Sequence, residues 1–417
     1  MVDGHYVAFN SLTGEFVELT AKEYDIVNSE IIDDICDAEH LIKKYFLVPL
    51  EHDDIQLADE VRSFLDLFEK KEGYRSYTIF TTMACNARCF YCYEFGRPQI
   101  SMSLQTANDV AEFIKKTCKK NKKIRLAWFG GEPLCNSKVI DVITQGLKNS
   151  GIEFMSVMTT NGYLFDKTLA EKAAKDWKLE RVQITLDGTE ENYNRIKAYV
   201  NAEGVNPFVK VTDNIEFLLK QDISVNVRVN LGMHNKDDLL KLADWLAVRY
   251  AGYEKLCVYA TLLFDTDFKK QILGNEKFLL TKELLAFQQK CFDAGIRRPP
   301  VLEGGIKSHA CMADSYDTVT ITPDGHLGKC EHFSEDEYIG DIYTGVTNVE
   351  KENEFKEKAN TKDICTGCSV YPVCIKLKKC PNNSKTVCDS EDRLIKETQL
   401  HNMIEYTFRH LRKQKEN

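Results

Sequence analysis

Between residues 74 and 264, short apolar runs alternate with stretches whose hydrophobic residues recur every three or four positions. The runs are Tyr77–Thr82, Ile124–Phe129, Phe154–Thr159, Arg181–Leu186, Ser224–Asn230 and Leu256–Leu262. Their length and their Val, Ile, Phe and Thr content predict strands, and the periodic stretches between them predict amphipathic helices. Repeated βα units build a parallel sheet. Six of them suit an α/β fold of the partial (β/α)6 TIM-barrel kind, which places its chemistry at the C-terminal ends of the strands.

The flanks follow other patterns. In residues 1–73, His5–Asn10 and Glu15–Leu19 alternate like strands around Ser11-Leu12-Thr13-Gly14, a hairpin signal. Thr20-Ala21-Lys22-Glu23 has the form of a capping box that starts a helix. A second helix near Asp37–Lys44 is expected to run into a strand, Tyr45–Pro49, and Ile55, Val61, Phe64, Leu65 and Phe68 form a helical stripe. Hairpin, helices and wing predict a winged helix-turn-helix unit. Residues 265–303 read as a connection: an irregular insertion to 280, then a helix over Thr281–Ala294. From 304 to 417 the chain is cysteine-rich with little periodicity until a helical pattern returns at Ser390–Arg412. Metal sites rather than a large core would hold such a region.

A chain of 417 residues is expected to form two or three domains. No apolar run approaches the ~18 residues of a membrane span, and Met1-Val2-Asp3-Gly4-His5 does not open a signal peptide, so the expected location is the cytoplasm. Fifteen cysteines in a reducing compartment call for metal ligation rather than disulfides. A net charge of −9 argues against nucleic acid as the partner. The basic group Lys115, Lys116, Lys119, Lys120, Lys122 and Lys123 reads as the solvated face and end of a helix.

The most informative cysteines are Cys85, Cys89 and Cys92, spaced C-x3-C-x2-C directly after the first strand. Structural zinc sites pair C-x2-C with a second such pair, which is absent nearby. Three thiolates can hold three irons of a [4Fe-4S] cube and leave the fourth open for chemistry. Polar groups stand at the tips of the following strands: Gly130-Gly131-Glu132-Pro133, Thr159-Thr160-Asn161-Gly162, Thr185-Leu186-Asp187-Gly188, and Arg228 with Asn230. A ligand with an amino group, a carboxylate and a ribose would be satisfied by Glu132, by Arg228, and by Thr185 with Asp187, in that order.

These motifs, in residues 74–264, resemble the radical S-adenosylmethionine superfamily. The resemblance implies that Cys85, Cys89 and Cys92 hold a cluster whose open iron is chelated by S-adenosylmethionine (AdoMet), and that reductive cleavage yields a 5′-deoxyadenosyl radical. It further implies that the Tyr91 backbone faces adenine, that Gly130, Gly131, Glu132 and Asn161 belong to the cofactor site with Glu132 on the amino group, that Thr185 and Asp187 meet the ribose, and that Arg228 meets the carboxylate.

A second array comprises Cys311, Cys330, Cys365, Cys368, Cys374, Cys380 and Cys388, of which Cys365, Cys368, Cys374 and Cys380 admit a zinc ribbon on spacing alone. The whole pattern is similar to the SPASM extension of radical AdoMet enzymes, which carries two auxiliary [4Fe-4S] clusters and would bring the total to three. The resemblance implies one cluster on Cys365, Cys368, Cys374 and Cys388 and another on Cys311, Cys330 and Cys380. The family's usual last gap of three residues is five here. Gly305 stands where some relatives supply a further cysteine, so an open iron is expected on the second of these clusters, able to bind a substrate thiolate. Glu331, next to Cys330, is a candidate base.

Residues 1–73 are rich in Asp and Glu, and resemble the leader-recognition element of ribosomal peptide maturases, in which a leader adds a strand to a sheet edge. Together the three parts resemble the thioether-forming (ranthipeptide and sactipeptide) maturases. The implied partners are a Cys-containing precursor peptide with a leader and an external electron donor of the flavodoxin or ferredoxin type, with no nucleic acid and no membrane. Carbon–carbon or ether crosslinking, epimerisation and formylglycine formation are the alternatives within that class; an iron–sulfur electron carrier is the alternative outside it.

Overall fold

The computed structural model describes residues 1–29, 38–69, 73–119, 123–202, 204–263, 274–296, 304–332, 335–359, 365–371, 373–380, 388 and 390–416. The chain divides into two compact units. Compactness follows other lines than the sequence: one unit joins Met1–Glu69, Pro300–Ala310 and Lys358–Asn417, and the other joins Lys70–Pro299 to Cys311–Glu357.

In the first unit, β1 (Tyr6–Phe9) and β2 (Phe16–Leu19) form an antiparallel hairpin with Tyr6 opposite Leu19. Helix α1 (Ala21–Val27) starts with the capping box that its sequence announces: the Thr20 hydroxyl accepts from Glu23 N, and Glu23 accepts from Thr20 N at 2.7 Å. Then come α2 (Glu39–Lys43) and α3 (Asp54–Glu69). The expected strand Tyr45–Pro49 is not formed; residues 45–49 are turn and irregular chain. The cause is local. Tyr45 takes a left-handed φ of 60°, with Phe46 N bonded to Leu41 O and Tyr45 N to Ile42 O. That is the Schellman closure of a helix, which reverses the chain instead of extending it. Phe46 and Leu47 then pack on Val17, Leu19, Ala38 and Leu41. Among the described residues the hairpin therefore has two strands, without a third strand for a wing. The C-terminal helix, Ser390–Glu416, closes this unit: Arg409 pairs with Asp3 at 3.1 Å, and Phe408 packs 5.4 Å from the ring of His5.

The second unit is built on one sheet. Strands β3 (Ser76–Thr82), β4 (Ile124–Gly130), β5 (Phe154–Thr160), β6 (Leu179–Thr185), β7 (Ser224–Leu231) and β8 (Leu256–Leu262) pair in sequence order, all parallel. They coincide with the six expected strands to within two residues. Helices α4 (Leu104–Thr117), α5 (Ser137–Asn149), α6 (Lys167–Lys175), α7 (Glu190–Lys197), α8 (Pro207–Lys220) and α9 (Leu239–Tyr250) make the crossovers. Strands covered in this way read as nearly continuous apolar runs; β3 is buried at six of its seven positions. The core between sheet and helices includes Trp128, Ile143, Trp177, Ile184, Val227 and Leu246. Helix α10 (Gly274–Asp293) begins at least seven residues before the expected Thr281, so the described part of the supposed insertion is helical.

Beyond β3 the sheet continues through a segment whose sequence shows little periodicity. Strand β9 (Thr318–Ile321) lies parallel to β3, and β10 (His326–Gly328), β11 (Gly340–Asp341) and β12 (Gly345–Val346) follow antiparallel. Buried Lys329 fastens the turn by donating to Ser315 O and to Thr318 O at 2.8 Å. Of the basic group, Lys119 is buried against Asp317 at 3.5 Å and Lys123 pairs with Glu180 at 2.6 Å; Lys120 and Lys122 lie outside the described residues. Among the described residues no helix is long and apolar enough to cross a membrane.

Candidate active site

The loop that follows β3 carries Cys85, Cys89 and Cys92, each half-buried. It is tied down from two sides. Arg88 N donates to Lys197 O and Val200 N to Asn86 O, both at 2.8 Å. On the other side the first turn after β4 holds it: Gly131 N bonds Thr82 O at 3.0 Å and Glu132 N bonds Ala84 O at 2.9 Å. Here Gly130 and Gly131 have a measurable purpose. A Cβ at Gly130 would stand 2.1 Å from Thr82 O, and one at Gly131 2.5 Å from Met83 O and 2.6 Å from Ala84 O. The close approach these glycines permit is to the cysteine loop's own backbone.

Glu132 is fully buried. Its Oε1 accepts from Thr160 Oγ1 at 2.7 Å and Leu134 N at 3.1 Å, and its Oε2 accepts from Asn161 N at 2.8 Å. Burial raises its pKa, against these three bonds. The Asn161 side chain donates to Asn86 Oδ1 at 2.7 Å and lies 3.8 Å from Cys85 Sγ. The glutamate thus links the tips of β4 and β5 to the cysteine loop.

Thr185 ends β6 and Asp187 stands two residues beyond it. Both already have a partner that sequence reasoning missed, Lys197 at the end of α7. Its ammonium donates to Thr185 Oγ1 at 2.7 Å, Asp187 Oδ2 at 2.8 Å and Tyr91 OH at 2.8 Å. Tyr91 OH in turn donates to Asp187 Oδ2, while Asn230 N donates to Asp187 Oδ1 at 2.8 Å. Lysine and aspartate are 2% and 0% exposed. Burial alone would pull the lysine pKa down, but the carboxylate, with Cys89 and Tyr91, holds it well above the ordinary range. Tyr91 therefore presents a side chain to this network, whatever its backbone meets. Arg228, on β7, is half-buried and donates from Nε to Thr261 Oγ1 at 3.2 Å.

Cys311 and Cys330 belong to the same unit as this loop. Glu331 is half-buried. Beside it, His332 packs its ring 4.0 Å from that of Tyr93, and burial, with the charges of Arg97 and Arg228, lowers the imidazole pKa to about 4. The imidazole is therefore neutral at physiological pH. Glu94 is 6% exposed, burial raises it to about 7, and its Oε1 has no hydrogen-bond partner. Asn86 Nδ2 and His234 Nε2 are likewise buried and unpartnered. Three orphaned polar atoms on and beside one loop fit a polar ligand there.

The donor set also fits iron–sulfur chemistry. Cys85, Cys311 and Cys330 each accept a backbone N–H from the residue two positions on, at 3.4, 3.3 and 3.4 Å. Such bonds stabilise sulfur that carries negative charge. Burial lifts the Cys85 thiol to about 12, so a positive partner such as iron is needed to make it a thiolate. Among the described residues no three His, Cys, Asp or Glu side chains converge as ligands of one metal ion; a cube asks for no such convergence, because each thiolate binds its own iron.

Cys365, Cys368, Cys374, Cys380 and Cys388 belong to the first unit. Cys368 N bonds Cys365 O at 3.1 Å. From the C-terminal helix, Lys396 Nζ donates to Cys374 Sγ at 3.0 Å. Like Lys197, it is a lone lysine with no motif to mark it.

Comparison with known proteins gives the fold and the domain a name. The family model described as Radical SAM superfamily matches residues 79–246, and these residues form a radical SAM domain. A probable GTP 3′,8-cyclase of Methanococcus maripaludis (strain C7) is 35% identical over 133 residues, which are 31% of this chain and 43% of that protein. The chain thus matches less than half the length of that curated relative. The GTP 3′,8-cyclase of Clostridium perfringens (strain SM101) is 26% identical over 273 residues, 61% of this chain and 80% of the other. Among solved structures, native anSMEcpe with bound AdoMet superposes with a TM-score of 0.62 at 18% identity, covering 81% of this chain and 98% of that one. Streptococcus suis SuiB bound to S-adenosylmethionine gives 0.53 at 14%, covering 93% and 98%. At these identities the likeness is one of fold. The two proteins were also solved with the Cp18Cys peptide and with the precursor peptide SuiA, respectively.

Proposed function

We propose that this chain is a radical AdoMet peptide maturase that takes a hydrogen atom from a carbon of a ribosomally made precursor and closes a Cys thioether crosslink on it. The observation that carries the reading is the meeting of the Cys85–Cys92 loop with the tips of β4, β5 and β6 at one end of the sheet, through Glu132, Asn161 and the Lys197 network. That the fold's neighbours were solved with peptides supports a peptide substrate.

Cys85, Cys89 and Cys92 would hold the first cluster. With AdoMet bound it would supply a 5′-deoxyadenosyl radical, the agent of hydrogen abstraction. The protein's part is positioning. Glu132, buried and bonded to three donors, keeps a remaining lone pair for the AdoMet ammonium. Thr185 and Asp187 would meet the ribose as a set fixed by Lys197, and Arg228 would meet the carboxylate with its free fork. Cys365, Cys368, Cys374 and Cys388 would hold a second cluster. Cys311 and Cys330 would belong to a third, with one iron open to a substrate thiolate. Glu331 beside Cys330 would take the thiol proton, and the electron released when the thiolate sulfur joins the carbon radical would pass to the cluster that holds the sulfur. The N-terminal unit would bind the leader, and a flavodoxin- or ferredoxin-type protein would supply electrons.

The test begins with the anaerobically reconstituted protein, AdoMet and dithionite. It should release 5′-deoxyadenosine, and the triple Cys85→Ala, Cys89→Ala, Cys92→Ala variant should release none and carry about four fewer irons. A Cys-containing peptide encoded beside the gene should then lose two hydrogens and one alkylatable thiol per crosslink. Mass loss with the thiol still alkylatable would point to a carbon–carbon or ether link, and unchanged mass to epimerisation. The names of the curated relatives suggest a nucleotide cyclase instead. Two such matches cover 31% and 61% of the chain at 35% and 26% identity, and consumption of GTP under the same conditions would favour that reading over ours.

A further inference from the structure

We propose that Lys396 is the charge partner of a [4Fe-4S] cluster on Cys365, Cys368, Cys374 and Cys388, and that its ammonium favours that cluster's reduced state. The inference rests on the auxiliary-cluster reading above and goes beyond it, because nothing in the cysteine spacing points to a lysine.

The geometry lies within one compact unit. Lys396 sits in the second turn of the helix Ser390–Glu416, and its Nζ reaches Cys374 Sγ at 3.0 Å. The other charged groups on this face are largely answered. Arg393 pairs with Glu397 at 3.0 Å and donates to Gly367 O, in the turn between Cys365 and Cys368. Lys376 stands 3.8 Å from Asp392. Glu397 also accepts from Ser369. Lys396 gives its donor to the Cys374 sulfur.

A neutral thiol is a weak acceptor and a poor answer to a part-buried ammonium, whereas a thiolate is a strong one. The bond therefore makes most sense when Cys374 carries charge, as an iron-bound thiolate does. A [4Fe-4S] core in its 2+ state with four thiolates carries a net charge of 2−. Taking up one electron gives the 1+ core and a net charge of 3−. A fixed cation beside one sulfur is attracted more strongly to the second state than to the first, so it raises the reduction potential. Donation to the sulfur acts in the same direction.

The test is an EPR-monitored redox titration of the full-length reconstituted protein with dithionite as the electron source. Lys396→Met should move the midpoint of one cluster to more negative potential and leave the midpoints of the others, the iron content and 5′-deoxyadenosine release as in wild type. Lys396→Arg should stay close to wild type. Lys396→Gln keeps a donor without the charge, and should shift the same way by less; it also serves if the methionine variant loads iron poorly. Unchanged midpoints in either neutral variant at full iron content would overturn the proposal. A Cys365→Ala, Cys368→Ala, Cys374→Ala, Cys388→Ala variant with no loss of iron would instead overturn the auxiliary-cluster reading itself.

Discussion

A lysine that is 2% exposed must have its charge answered inside the protein, and Lys197 has it answered by Asp187, Thr185 and Tyr91. Such a pair is costly to break on one side, because the remaining charge stays buried without a partner. Lys197→Met should destabilise the second unit by about 3–5 kcal/mol, and adding Asp187→Asn should return part of that loss. Thermal or urea unfolding of the single and double variants checks this; equal destabilisation by the single and the double would show that the pair is not the cause. The network also explains what spacing could and could not convey. Thr185 and Asp187 stand out in the sequence as candidates because they lie at a strand tip, where barrel chemistry gathers. Their partner does not, because it lies 12 residues from Thr185 and 106 from Tyr91 on a helix end where lysine is ordinarily a solvated dipole partner.

Among the elements, the turn after β4 decides where the cysteine loop sits. At Gly131 φ is not left-handed, so the constraint is space alone: a Cβ would be 2.5 Å from Met83 O. Gly131→Ala must push the loop by a fraction of an ångström or more. Misplacement of about 1 Å at a reacting centre can cost about a hundredfold in rate. The expected outcome is a loss of 5′-deoxyadenosine formation of that order, at near-normal iron content. Gly151→Ala is the control. Its φ is +69° but nothing lies within 4 Å of the added carbon, so it should cost about 1 kcal/mol of stability with activity kept. The same contrast between local and distant causes runs through the elements as a whole. The six parallel strands were readable because each is a short run rich in apolar residues set between helical patterns: β3 is buried at six of seven positions, while β4, β6 and β8 keep a buried residue at intervals of two or three. Tyr45–Pro49 is just as apolar, yet a Schellman turn uses Phe46 and Leu47 to plug the hairpin's core. Strands β9 to β12 were unreadable for the opposite reason: with two to four residues each, they are too short to show a period.

At the scale of the molecule, the two ends of the chain share one compact unit. Asp3 meets Arg409, and His5 meets both Phe408 and Arg412, across more than 400 residues of sequence. No pattern within either end could reveal this, since each reads as an ordinary amphipathic piece. A two-stranded hairpin is marginal alone and gains stability by packing against a helix. Here α1, α2 and the C-terminal helix supply that cover. A chain ending at residue 389, without Ser390–Glu416, should therefore lose protection over β1 and β2 in amide hydrogen exchange, while β4 to β7, buried in the other unit's own core, stay protected. If the N-terminal unit binds the leader of a peptide substrate, the same truncation should weaken binding of the leader without abolishing AdoMet cleavage in the absence of peptide. Equal loss of exchange protection in both units would mean that the truncation unfolds the whole chain. Unchanged protection at β1 and β2 would mean that the hairpin does not depend on the tail.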